Sequence, residues 1–214
     1  MKHLAVIADG NRRWAANNGL PKVAGHAQGL VAIERVSSWA LERNIPFVTV
    51  YCLSTENFGR PANEIENLFG LARHYFGNVD FYIGNGINVR FCGRRDRFAD
   101  DLREQMADVE AQTKGCKRLY LTICVDYGGR DEIARAVQNG ARTETEITEA
   151  LLGDKPAPDV ILRTGGFHRL SNFLLWQSAY SEIFFSDTLF PDIEPKELDE
   201  VLQWFYTQKR NFGK

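Results

Sequence analysis

A chain of 214 residues, 44% of them hydrophobic, has material for one good core, and a single domain is the expectation. Its 26 basic and 28 acidic residues leave a formal net charge of -2, so no overall field would hold nucleic acid or an anionic membrane, and any anion site must be made locally. The four cysteines, Cys52, Cys92, Cys116 and Cys124, form no CxxC pair, which argues for reduced thiols in a cytoplasmic protein, and no apolar stretch nears the twenty residues of a membrane span.

The first informative stretch runs from Leu4 to Trp14. An apolar run stops at Asp9 and is followed by Gly10, Asn11, Arg12 and Arg13, the pattern of a buried parallel strand, a glycine turn and the start of a helix. Gly10 lets the backbone approach a ligand, the N–H groups of the helix favour an anion, and two guanidiniums add charge and fork geometry. The pattern reads as a seat for a phosphate or diphosphate. A carboxylate alone would repel that anion, so Asp9 is expected to act as a metal ligand or a proton acceptor. A plain charged turn is the other reading.

Further along, residues 25–43 carry Leu30, Ile33, Val36, Trp39 and Ala40 at helical spacing. A strand is predicted over 47–53, ending at Ser54, Thr55, Glu56 and Asn57. Arg60 and Pro61 open a helix whose face, Ile65, Leu68, Phe69, Ala72, Tyr75, Phe76 and on to Phe81, is bulky. Residues 87–92 form a third strand, 98–113 a polar helix and 119–125 a fourth strand, after which Asp126 to Arg130 lead into a helix reaching 141. A short helix over 144–152, a fifth strand over 159–162, a helical stretch over 172–178, a sixth strand over 183–185 and a helix over 195–210 complete the chain.

Strands alternate with helices and no hairpin signal intervenes, which calls for an α/β fold: a mainly parallel sheet of about six strands flanked by helices, with ligands bound beyond the carboxyl ends of the strands. Asp9, Ser54 with Asn57, Arg94, Arg130 and Arg163 each follow a strand, so all five are expected at that edge, around an anion-binding cleft. Arg163, Thr164, Gly165 and Gly166, followed by Arg169 and Ser171, repeat the logic of the opening stretch. Two such constellations ask for two anionic substrates or one very highly charged one. Glu182, just before the apolar residues 183–185, is either a partner for the arginines or a metal ligand beside the second anion. Trp176, Gln177 and Tyr180 read as packing and interface residues.

With these residues in view the chain resembles the cis-prenyltransferase family. The resemblance rests on His3, Ala5, Ile7 and Asp9 to Asn11 with Arg13 to Ala15, on Gly25 and His26, on Ser54, Glu56, Asn57, Arg60 and Pro61, and on Tyr127 to Arg130. It continues through Arg163 to Gly166, Arg169, Ser171 to Leu174, Trp176 and Gln177, and ends with Tyr180, Glu182, Arg210, Phe212 and Gly213. It implies a homodimeric, Mg²⁺-dependent enzyme that joins isopentenyl diphosphate to an allylic diphosphate such as farnesyl diphosphate. The new double bonds are cis, and the growing chain lies in an apolar tunnel.

The expected product is undecaprenyl diphosphate, a carrier lipid for wall polymers, with membrane contact only through that product. The resemblance makes Asp9 the metal-associated catalytic carboxylate. Gly10, Asn11, Arg12, Arg13, Trp14, Lys22, His26 and Arg60 would form the allylic diphosphate site. Arg163, Arg169 and Ser171 would hold isopentenyl diphosphate, with Glu182 near its metal. Ser54, Asn57 and Arg60 would order the loop over the cleft and assist proton transfer.

Three positions depart from the family pattern: Lys22 replaces an arginine and its fork, Leu53 a common aromatic, and Phe167 a frequent glutamate. The segment 130–158 is short for a bacterial member, and Phe69, Tyr75 or Phe76 could block the tunnel. The rival readings are a short-chain or irregular coupling enzyme and a non-catalytic subunit of the same fold. A nucleotide-binding or phosphoester-hydrolysing enzyme would call for a P-loop or a clustered metal triad, and the sequence has neither.

Overall fold

The computed structural model describes residues 1–59, 62–76, 78–153 and 155–210, with 62–64, 74 and 76 described by their backbone alone. In chain order these form β1 (His3–Ile7), α1 (Asn11–Asn17), α2 (Lys22–Glu42), β2 (Phe47–Tyr51), a 3₁₀ turn (Thr55–Gly59), α3 (Ala62–Phe76), α4 (Val79–Asn85) and β3 (Ile87–Cys92). There follow α5 (Asp100–Thr113), β4 (Leu119–Cys124), α6 (Gly129–Gln138), α7 (Glu144–Leu152), β5 (Val160–Arg163), β6 (Glu182–Phe185), a second 3₁₀ turn (Phe190–Asp192) and α8 (Pro195–Thr207).

The strands make one six-stranded sheet in the order β3-β4-β2-β1-β5-β6, and every pairing is parallel. Ile7 is level with Tyr51 on one side and Arg163 on the other, so the carboxyl ends of β1, β2 and β5 finish flush. β1 is buried at all five positions, as a central strand covered on both faces must be. Its side chains alternate. Leu4 and Val6 join Val48, Val50, Leu121 and Ile123 in the larger core, against Ile33, Val36 and Trp39 of α2, Met106 of α5 and Val201 of α8. Ala5 and Ile7 face the other way, toward Tyr51, Ile161, Tyr127 and Phe173. Each large side chain sealed in this way contributes about 1.5–3 kcal/mol.

The start of α1 is fixed by its crossing with α2. A Cβ at Gly25 would stand 1.9 Å from the Asn11 carbonyl oxygen, and one at Gly29 2.6 Å from Asn11 Oδ1. Only glycines allow this approach, and it locks Asn11 at the mouth of the sheet.

Three expectations about elements need correction. The helix predicted to run on to Phe81 is broken into α3 and α4 after Phe76, with Asn78 as the N-cap of α4. Residues 172–178 are turns rather than helix, because Ser171, Asn172 and Leu174 take φ of 49°, 65° and 43°, outside helical geometry. Asn tolerates positive φ, and the Ser171 and Asn172 side chains are held by Arg163, Arg130 and Glu56 of other segments, so long-range bonding outweighs apolar spacing here. Finally, β6 begins at Glu182 itself rather than after it.

Candidate active site

β1 lies between β2 and β5, so the chain departs from it in both directions and leaves a crevice at its carboxyl end. The loops after β1, β2 and β5 meet there in a cleft of about 810 Å³ lined by Asp9, Gly10, Asn11, Arg12, Arg13, His26, Ser54, Asn57, Phe167, Arg169 and Ser171. Residues 155 positions apart in sequence are thereby brought together.

The centre of the site is one carboxylate shared by two arginines. Arg163 Nη2 donates to Asp9 Oδ2 at 2.7 Å and Arg13 Nη2 to Asp9 Oδ1 at 3.3 Å. Arg163 also donates through Nη1 to the Arg169 carbonyl and, at 2.7 Å, to Ser171 Oγ. Arg163 is only 3% exposed, while the Asp9 side chain is 29% exposed. The guanidinium thus lies behind the carboxylate and aims it at the cleft, so Arg163 is a support for Asp9 more than part of the cleft wall.

Thr164 closes the turn, accepting the Asp9 N–H at 3.1 Å and donating to the Asp9 carbonyl at 2.8 Å. Gly165, at φ +83°, lets the two loops touch: a Cβ there would stand 2.5 Å from Arg13 Nη2 and 3.0 Å from the Asp9 carbonyl oxygen. Above this turn the Phe167 ring has the guanidiniums of Arg169, Arg13 and Arg163 at 4.3, 4.8 and 5.8 Å from its centroid.

The outer wall is tied by residues that sequence reasoning did not assign to the site. Asn172 accepts the Arg130 N–H through Oδ1 and donates through Nδ2 to Glu56 Oε1, both at 2.9 Å. Burial works to raise the Glu56 pKa, but bonds from its own backbone, Asn172, Ser54 and Thr55 hold it below the ordinary value. Tyr51 OH lies within hydrogen-bond distance of the carbonyls of Tyr127 and Ser171, at 3.1 and 3.3 Å. The signal available for Asn172 was its place beside Ser171 at a turn, a context in which Asn adopts positive φ.

Several predicted site residues lie elsewhere. Arg94 binds Asp96 through two bonds of 3.1 and 2.7 Å and sits 3.7 Å from Asp131, forming a local clasp away from the cleft. Arg130 contributes its backbone N–H to Asn172 rather than a cleft wall. Loops after β3 and β4 share the edge, but two and one strands separate them from the crevice. Trp14 turns away, donating to Asp192 Oδ1 at 2.6 Å, and Lys22 stands exposed at the start of α2. Asn57 Oδ1 accepts the Ser54 N–H at 3.2 Å, so its carboxamide holds the loop. Arg60 lies outside the described residues, as do Pro61, Phe212 and Gly213.

Glu182 is the largest displacement. It is level with Val160, whereas Ile7 is level with Arg163, three residues further along and two strands across. At about 3.3 Å per residue and 4.8 Å per strand, Glu182 and the end of β1 are roughly 14 Å apart, on opposite edges of the sheet. Its position before the apolar residues of a parallel strand already implied this. Within one chain Glu182 therefore neither pairs with the cleft arginines nor joins Asp9 at a metal.

Among the described residues no three His, Cys, Asp or Glu side chains gather as metal ligands. Asp9 offers one partly exposed carboxylate with acceptor positions beyond the two that the arginines use. That donor set fits Mg²⁺, which keeps several waters and takes one or two carboxylates together with substrate phosphate oxygens.

An apolar cavity of about 90 Å³ opens from the same place, sharing Ala8, Asn11, His26, Cys52, Leu53 and Leu68 with the cleft. Phe69, Tyr75, Phe98 and Met106 also line it, while the Phe76 side chain is outside the described residues. Tyr75 OH donates to the Leu30 carbonyl, clasping α3 to α2.

Comparison with known proteins agrees with this geometry. An isoprenyl transferase of Aquifex pyrophilus is 44% identical over 221 residues, covering 100% of this chain and 96% of the relative. A ditrans,polycis-undecaprenyl-diphosphate synthase ((2E,6E)-farnesyl-diphosphate specific) of Xanthomonas axonopodis pv. citri is 41% identical, covering 99% and 88%. The crystal structure of lavandulyl diphosphate synthase from Lavandula x intermedia in complex with dimethylallyl diphosphate superposes with a TM-score of 0.95 at 27% identity, covering 100% of this chain and 98% of the other. Residues 7–213 match the undecaprenyl diphosphate synthase family of prenyltransferases, and on that match and these identities the chain belongs to this family and is a prenyl-transferring enzyme.

Proposed function

We propose that the protein condenses isopentenyl diphosphate with an allylic diphosphate, farnesyl diphosphate being the preferred candidate, in the cis configuration and with Mg²⁺. Repeated addition gives undecaprenyl diphosphate, a carrier-lipid precursor, from a homodimer that meets the membrane only through its product. The observation that carries the reading is a cationic cleft around Asp9 that runs directly into an apolar cavity. One end suits a diphosphate and the other an isoprenoid.

In this reading Arg12, Arg13 and the first N–H groups of α1 hold the allylic diphosphate, with His26 and Asn11 beside it. As the allylic C–O bond breaks, negative charge grows on the leaving group. Donors fixed around it stabilise that charge more in the transition state than before it. Arg169 and Ser171 hold the second diphosphate, and the double bond of isopentenyl diphosphate attacks the cationic carbon. The proton lost from the isopentenyl unit passes to Asp9 or to a diphosphate oxygen, since Asn57 uses its carbonyl oxygen on the loop. Mg²⁺, held by Asp9 and diphosphate oxygens, would supply further charge neutralisation at the leaving group.

A second reading, a short-chain or irregular synthase, is favoured by one feature: the apolar cavity is small and walled by Phe69, Phe98 and Tyr75. Incubation of the purified protein with Mg²⁺, farnesyl diphosphate and labelled isopentenyl diphosphate, with products separated by chain length, decides between them. A ladder reaching the undecaprenyl length is expected. A product stopping after one or two additions would favour the second reading, and no incorporation with farnesyl, geranyl or dimethylallyl diphosphate would overturn both.

A further inference from the structure

Phe167 is 41% exposed, and its ring stands at the cleft, open to neighbouring charge. Three guanidiniums use it. Arg169 lies 4.3 Å from the centroid, Arg13 4.8 Å and Arg163 5.8 Å. These come from both anion constellations: Arg13 from the first turn of α1, Arg163 from the end of β5 and Arg169 from the loop that follows it. Among the described residues Arg13 and Arg163 have Asp9 as a carboxylate partner, whereas the Arg169 side chain has the Phe167 ring as its contact and no carboxylate. Like charges held this close repel, and some group must keep them together when no anion is bound. An aromatic face does so through its quadrupole without cancelling any charge. A carboxylate at the same position would gather the arginines equally well but would remove one positive charge from the site.

We propose that Phe167 is a positioning residue that holds Arg13 and Arg169 together across the two anion seats and leaves their full charge to incoming diphosphate. The proposal rests on the reading of the cleft as a diphosphate site. Its consequence is a site pre-set for anions, because the ring fixes the guanidinium of Arg169 before the substrate arrives.

The test measures binding of inorganic pyrophosphate by calorimetry, together with KM and kcat for isopentenyl diphosphate, in the wild type and in Phe167→Leu, Phe167→Tyr and Phe167→Glu. Leu keeps an apolar side chain without the π face. It is expected to weaken pyrophosphate binding and raise KM about fivefold, with kcat within twofold and the melting temperature unchanged. Tyr, which restores the face, should return both values to within twofold of the wild type. Glu should weaken pyrophosphate at least as much as Leu and flatten the salt dependence of binding, since one cation is neutralised. Wild-type affinity in Phe167→Leu, or a loss that Phe167→Tyr fails to restore, overturns the role of the ring while leaving the diphosphate reading intact. Absence of pyrophosphate binding in the folded wild type overturns that reading and the proposal with it.

Discussion

The two edges of the sheet use the same residue types to opposite ends. At the amino edge Asp159 accepts the N–H groups of Lys2 and His3 and, at 2.7 Å, the guanidinium of Arg210. Burial works to raise its pKa, but those donors outweigh it and hold the carboxylate below its ordinary value. The carboxylate there is enclosed by its donors, and the clasp joins the first residues to the end of the described chain. At the carboxyl edge Arg13 and Arg163 share a single carboxylate, Asp9, and Arg169 stands on the Phe167 ring beside them, at an open cleft. An Asp–Arg pair is therefore not informative by itself. Surplus charge, partial exposure and adjoining space separate a binding site from a brace.

The strongest test of that contrast is Asp9→Ala. If the carboxyl edge is the reacting centre, kcat should fall at least a thousandfold while circular dichroism shows a retained fold. Some stability should also be lost, because Arg163 keeps the Arg169 carbonyl and Ser171 but loses its one carboxylate. Turnover within tenfold of the wild type would remove Asp9 from the chemistry and reduce its pair with Arg163 to a second brace.

The next effect belongs to the amino edge and should appear in stability rather than turnover. His3 is buried, with Nδ1 2.8 Å from the Pro156 carbonyl and Nε2 2.9 Å from the Thr49 hydroxyl. A neutral ring satisfies both, Nδ1–H donating and Nε2 accepting. Burial pushes its pKa down to about 4 against the pull of the Pro156 carbonyl, from an ordinary 6.5. Between those values the unfolded chain binds a proton that the folded one refuses. Stability should therefore decline as pH drops from 6.5 toward 4, by about 3 kcal/mol in all, and stop declining from this cause below that. Denaturant melts across this range should show that slope in the wild type and a shallower one in His3→Gln, with activity at neutral pH little changed. Equal slopes would place the acid sensitivity elsewhere.

The contrast also explains what the sequence made legible. The β1 strand, the glycine turn and the arginine-rich start of α1 were readable because each rests on local chemistry: an apolar run, a positive φ and a helix N-terminus. The parallel sheet followed from alternation alone. Placement across the sheet was harder. Position after a strand puts Arg94 and Arg130 at the correct edge, but strand order, which no local pattern encodes, decides that only β1, β2 and β5 share the crevice. Glu182 was legible in principle, since a residue opening a parallel strand lies at the amino edge. Arg163 was placed at the correct edge, but its direction was not legible, because whether a strand-end arginine points outward or folds back onto Asp9 depends on a partner 154 residues away. Asn172 was lost to apparent helical spacing.

The smallest predicted effect asks whether the carboxyl edge holds one anion seat or two. Arg169 and Arg13 both touch Phe167, yet one sits on the loop after β5 and the other in the first turn of α1. If Arg169 serves isopentenyl diphosphate, Arg169→Ala should raise KM for that substrate about 30-fold, the equivalent of one charge-assisted contact, and KM for the allylic substrate by no more than about threefold. The change should exceed that of Phe167→Leu, because it removes the donor rather than its support. kcat should move little, since the contact is made equally before and in the transition state. The reverse ratio would mean that the two seats are exchanged. Equal rises for both substrates would mean that the three arginines act as one undivided field, so that selection between the diphosphates falls to the apolar cavity.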